Sequence, residues 1–77
     1  MFFTVLEIQE TNDGARACTP TIYYDVDPVK ALSSAKAKYF TICTAASVST
    51  IPYHAAFILS DEGQIVKGEI FDRRSKG

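Results

Sequence analysis

The sequence holds little of what most enzyme chemistry needs. There is one histidine, His54, and there are two cysteines, Cys18 and Cys43. No CxxC pair and no HxxxH spacing occurs, so the convergent ligand set of a metal site is not signalled. The four glycines form neither a GxGxxG run nor a GxxxxGK loop, and no phosphate cradle is implied. No apolar stretch approaches the ~18 residues that span a bilayer. No excess of either charge is present: eight Lys and Arg stand against nine Asp and Glu, for a net charge of −1. That balance argues against a general polyanion binder and against an acidic mimic of nucleic acid.

What is present is the composition of a folded domain. The 77 residues are 47% hydrophobic and 12% aromatic, which separates the chain from disordered, collagen-like and disulfide-scaffold sequences. The length allows one small domain. Domains of this size bury only about 60% of their unfolded surface and are commonly reinforced by disulfides, metals or self-association. Two cysteines in separate predicted elements read as buried thiols rather than as a bridge. With no metal ligand set, self-association is the remaining reinforcement. The apolar start, Met1 to Leu6, lacks a basic segment before it and meets Glu7 and Glu10, so it does not read as a secretory signal. The expected location is the cytoplasm.

The hydrophobic pattern predicts the order ββαββ. Phe2 to Gln9 alternates as a strand, with Phe2, Leu6 and Ile8 on one face and Phe3 and Val5 on the other. Asn12-Asp13-Gly14 marks a turn. Ala15 to Asp25 reads as the returning strand, and Pro20 within it predicts an irregular, bulged or edge strand. Asp27-Pro28 starts a helix as N-cap and first-turn proline. Val29, Leu32, Lys36, Tyr39, Cys43 and Ala46 recur at three-four spacing, with Phe40 and Ile42 widening the stripe. The helix is expected to end near Ser47, ahead of Pro52. Tyr53 to Leu59 forms a third strand, Ser60 to Gln64 a loop with Gly63 left-handed, and Ile65 to Asp72 a fourth strand. The fold class is α+β: a four-stranded antiparallel sheet with one helix packed on one face. Residues 1–72 form the domain, and residues 73–77 a polar, frayed C-terminal tail.

Both sides of such a sheet are apolar. Tyr53, Phe57 and Leu59 oppose Ala56 and Ile58, and Ile65 and Phe71 oppose Val66 and Ile70. One helix covers one face, so the other exposes a contiguous apolar patch, the mark of an interaction site. A two-fold homodimer uses one patch twice. Which parity faces outward is left open by the pattern, and the set Phe57, Leu59, Ile65 and Phe71 fits either side.

Individual residues carry little chemistry. His54 has no acid or nucleophile in motif relation to it and reads as a structural or surface histidine rather than a catalytic one. Cys43 lies far from the helix N-terminus, where a reactive thiolate would be favoured, and reads as core. Asp25 and Asp27 oppose anion binding at that N-terminus. Lys30, Lys36 and Lys38, with Arg73, Arg74 and Lys76, are spread among acids rather than gathered in a stripe, and Lys36 leans toward the core. Neither catalytic nor cofactor nor metal residues are assigned. Tyr23, Tyr24, Tyr53, His54, Arg73 and Arg74 are the candidate interaction residues, because tyrosine and arginine are enriched at hot spots.

The stretches FFTVLEIQE and TAASVSTIPYHAAFILSDEGQIVKGEIFD, with the Asn-Asp-Gly turn, resemble small uncharacterised phage and prophage proteins of gut Firmicutes. The matching positions are Phe2 to Gln9, His54, Ala56, Leu59 and Gly63. The resemblance implies a context rather than an activity: small phage proteins without catalytic motifs serve as accessory factors. It implies a non-enzymatic protein-interaction module, an inhibitor of a host defence system in the manner of an anti-CRISPR. Its partners would be further copies of itself, as a homodimer or higher oligomer, and a host or phage protein, with no membrane and with nucleic acid not expected. The alternatives are an oligomeric sponge for a nucleotide-like signalling molecule, held between Tyr23, Tyr24, Tyr53 and basic residues, and a small phage structural or assembly protein.

Overall fold

A computed structural model describes residues 1–74. The chain runs β1 (Phe2–Glu10), β2 (Arg16–Tyr24), α1 (Pro28–Ser47), β3 (Tyr53–Ser60) and β4 (Ile65–Asp72). The four strands form one antiparallel sheet in the order β2-β1-β3-β4, with α1 laid on one face. This is the α+β, ββαββ architecture the periodicity predicts. The parallel strands β2 and β3 flank β1 and are joined through α1, a split β-α-β unit.

The turns follow from local chemistry. Gly14 takes φ +86 and Gly63 φ +82, a region open to glycine at no steric cost. Thr11 N–H donates to Ala15 O at 2.9 Å, and Asp13 Oδ1 accepts from Ala15 N–H at 3.1 Å. The Asp27 carboxylate accepts from Val29 N–H at 2.9 Å and caps the helix. Asp25 Oδ1 in turn accepts from Asp27 N–H at 2.9 Å.

Cross-strand partners share a face, so the register assigns the two sides. Phe3 pairs with Tyr23, and Val5 with Thr21 and Ile58. These side chains meet the helix. The core joins Phe3, Val5, Ala56 and Ile58 to Ala31, Ala35, Tyr39 and Ile42. Three small helix residues, Ala31, Ala35 and Ala46, are at most 1% exposed. They let the helix backbone approach the sheet, and Tyr39 and Ile42 fill the space between them.

That packing bears out Tyr39, Ile42 and Ala46 of the expected helix stripe, with Leu32 and Cys43 packed against the core, and corrects the rest. Val29, Phe40 and Lys36 are exposed, and the buried line is Ala31-Ala35-Tyr39-Ile42-Ala46. Hydrophobic spacing favours the larger side chains, whereas close approach of a helix to a sheet selects alanine. Lys36 therefore does not lean toward the core; Lys38 is the half-buried lysine.

β2 lies at the sheet edge and pairs with β1 in unbroken register through Pro20. Pro20 pairs with Leu6 between hydrogen-bonded pairs of the ladder, so on this edge strand its missing donor would face outward. The irregularity falls elsewhere: Ile58 pairs with Lys67 but Leu59 with Ile65, a bulge on β4. It moves Ile65 and Phe71 to opposite faces. Ile65 joins Leu59 on the open side, and Phe71 joins His54 on the helix side. The expected set Phe57, Leu59, Ile65 and Phe71 is thus divided.

The segment expected to fray begins docked. Arg73 N–H donates to Pro52 O at 2.6 Å, and its Nη2 donates to Ala46 O at 2.6 Å near the helix C-terminus, where a cation is favoured. The remainder of the expected tail, residues 75–77, lies outside the described residues.

Candidate interaction surface

The face of the sheet turned away from α1 consists of cross-strand rows. Three are free of charge: Ile22-Thr4-Leu59-Ile65, Pro20-Leu6-Phe57-Gly68 and Cys18-Ile8-Ala55-Ile70. Phe2 and Tyr24 continue this apolar band at one end. Ile22 is 65%, Tyr24 69%, Ile65 66% and Ile70 53% exposed. No element lies over this face among the described residues. Ala55 is nonetheless 1% exposed, because its methyl sits low between the larger side chains of its row. Gly68 in the next row is exposed, and the Phe57 ring lies where its side chain would be. A Cβ at Gly68 would stand 2.5 Å from Phe57 Cδ1.

The charges gather in the last row, Arg16-Glu10-Tyr53-Asp72. Arg16 Nε donates to Glu10 Oε2 at 2.8 Å. Arg74 Nη2 donates to Asp72 Oδ2 at 2.9 Å, and Arg74 Nη1 reaches Glu10 Oε2 at 3.4 Å. The Arg74 guanidinium stands 4.7 Å from the centre of the Tyr53 ring, in cation–π range. Hydrogen bonding to Asp72 raises the Arg74 pKa. A shallow groove runs between Ile8, Glu10, Arg16, Tyr53 and Arg74.

The six candidate contact residues separate. Tyr53 and Arg74 meet on the open face. Tyr24 is on that face at the other end, opposite Phe2. Tyr23 is half-buried against the core beneath the helix. Arg73 serves the fold through Ala46 O and lies 5.8 Å from the Phe71 ring. His54 is buried and does not belong to the surface. Cys18 corrects the expectation of two buried thiols, being exposed on the open face. Cys43 is half-buried on α1, on the other side of the sheet, and both cysteines are free. Burial pushes the Cys43 thiol pKa up, with Glu69 adding to the shift against the pull of Tyr39 and Lys67. Burial likewise pushes the neighbouring Tyr39 hydroxyl up to about 12, with Cys43 contributing.

His54 does have an acid partner, one that no motif could show. Glu7 Oε2 accepts from His54 Nε2 at 2.7 Å, across a sequence separation of 47 residues. Gln9 Nε2 donates to the same carboxylate oxygen at 3.1 Å. Burial opposes charge on Glu7, but the bonds from His54 and Gln9 and the nearby Lys38 outweigh it, so its pKa is lowered. A proton on Nε2 leaves Nδ1 as a bare acceptor, and Nδ1 is buried without a partner among the described residues. The ring is enclosed on the helix side of the sheet, and among the described residues no hydroxyl or thiol is hydrogen-bonded to it. The pair tethers β1 to β3 under α1.

The arrangement defines a two-layer α+β protein with one covered and one uncovered sheet face. No group of three or more His, Cys, Asp and Glu side chains among the described residues is placed to hold a metal ion. No helix among them is long and apolar enough to cross a membrane. Comparison with known proteins found no matching family model, no matching curated protein and no matching solved structure.

Proposed function

We propose that this protein is a non-enzymatic protein-interaction module that works through the open face of its sheet. The carrying observation is that face: three uncharged rows with exposed Ile22, Ile65 and Ile70, bordered at one end by ion pairs. An apolar centre with a polar rim is the anatomy of a protein–protein interface. The enclosed His54 supports the same reading, since a general base must reach a substrate proton. Within this reading, the resemblance to phage proteins favours an inhibitor of a host defence system that acts by occupying a protein surface. The nucleotide-sponge alternative needs its tyrosines gathered with cations. Tyr24 and Tyr53 stand at opposite ends of one sheet, so a single chain offers less support for it. A phage structural or assembly role would also use a protein contact.

The test compares wild type with Ile22→Lys and Ile70→Lys in quantitative cross-linking, with circular dichroism to verify folding. Both positions are exposed, so the substitutions should leave the fold intact and remove the protein contacts. Retention of every contact by folded variants would overturn the assignment of the face. A turnover lost in His54→Ala would overturn the non-enzymatic reading.

A further inference from the structure

Resting on that reading of the open face, the geometry points to its occupant: a second copy of this chain, related by a two-fold axis parallel to the strands. The area is sufficient. Four strands spaced about 4.8 Å, each rising about 3.3 Å per residue over the nine residues of β1, cover about 570 Å² in plan. Side chains standing above that plan bring the accessible area toward the roughly 800 Å² per partner of a standard interface.

The charges select the axis. Across the last row the order is Arg16 (positive), Glu10 (negative), Arg74 over Tyr53 (positive) and Asp72 (negative). A two-fold axis along the strands lays β2 over β4 and β1 over β3 of the second copy. Reversing the row converts plus-minus-plus-minus into its opposite. Arg16 then faces Asp72 of the second copy, and Glu10 faces Arg74. A two-fold axis across the strands would instead lay this charged row over Phe2 and Tyr24, removing its ions from water without new partners.

The same operation sets Ile8 over Ala55 and Leu6 over Phe57 of the second copy, so the uncharged rows meet one another. Strands remain aligned between the layers, as in packed sheets whose mean directions lie within about 30°. Isologous pairing uses one patch twice and closes the assembly at two copies.

The experiment is native mass spectrometry with sedimentation velocity on wild type, Arg16→Glu, Asp72→Arg, Ile22→Lys and an equimolar mixture of the first two variants. Arg16 and Asp72 lie on opposite edge strands, so neither can rescue the other within one chain. Wild type should be dimeric and Ile22→Lys a folded monomer. Each charge variant should dimerise about tenfold more weakly, because like charges face each other at both ends of the row. The mixture should form heterodimers beyond the statistical proportion, with both opposite-charge contacts restored. A dimer without heterodimer preference would overturn the axis. A monomeric wild type would overturn self-pairing, and loss of another protein's binding in Ile22→Lys would leave the interaction-module reading standing. A monomer whose contacts are all insensitive to Ile22→Lys would overturn both.

Discussion

At the residue scale, the Glu7–His54 pair and Ile58 make the fold vulnerable in different ways. The Glu7 carboxyl is lowered from its ordinary 4.5. A lowered carboxylate contributes stability that is fully present above the unfolded value and lost as pH falls through the folded value. Urea midpoints measured between about pH 6 and about pH 2 should therefore fall with acid, and Glu7→Gln should fall less steeply. An equally steep fall in Glu7→Gln would show that other carboxylates carry the acid response. Ile58 is 0% exposed between the helix and the central strands. Ile58→Ala should cost about 2–5 kcal/mol in urea unfolding, as transfer and cavity losses combine. For a domain this small, that is a large share of a total of about 0.05–0.15 kcal/mol per residue.

At the scale of elements, β3 and β4 are matched through a bulge and a glycine. Phe57 lies across Gly68, and an added Cβ would meet Cδ1 at 2.5 Å and Cε1 at 2.9 Å. Gly68→Ala must displace the ring or the strand, and overpacking of this kind costs about 1–3 kcal/mol. The displacement should also disturb the open face, so the variant should lose both unfolding free energy and self-association. Loss of neither would mean that the ring moves freely. The helix is attached differently. Its backbone approaches the sheet through alanines, its N-terminus is capped by Asp27, and Arg73 binds a carbonyl near its C-terminus. Lys67 lies against Tyr39 and the exposed Phe40, with Nζ 6.0 Å and 5.9 Å from the two ring centres.

For the whole molecule, the two cysteines report on the uncovered face. Cys18 lies on it, and Cys43 lies beyond the sheet with its thiol pKa raised by burial. Thiol labelling should therefore be fast at Cys18 and slow at Cys43 in the monomer. As protein concentration rises, the second copy covers Cys18 and its labelling should slow. Ile22→Lys should remove that concentration dependence. A Cys18 rate independent of concentration in wild type would mean that the face stays uncovered.

The sequence by itself determined the features made by neighbours in the chain. Asn-Asp-Gly closes a hairpin, Asp27-Pro28 opens a helix, and alternation marks four strands, because each depends on backbone preferences within a few residues. It also carried two apolar sheet faces, since period-two alternation is visible without knowing which side is covered. Tertiary structure decided which side that was. Phe3 and Val5 met the helix, while Leu6 and Ile8 remained outside, and the helix turned Ala31, Ala35 and Ala46 to the sheet rather than the larger Val29 and Phe40. It also joined Glu7 to His54, gathered Arg16, Glu10, Tyr53 and Asp72 into one row, and separated Ile65 from Phe71 by a bulge. Those relations depend on strand order and register, which arise only when distant segments compete to bury the same apolar surface.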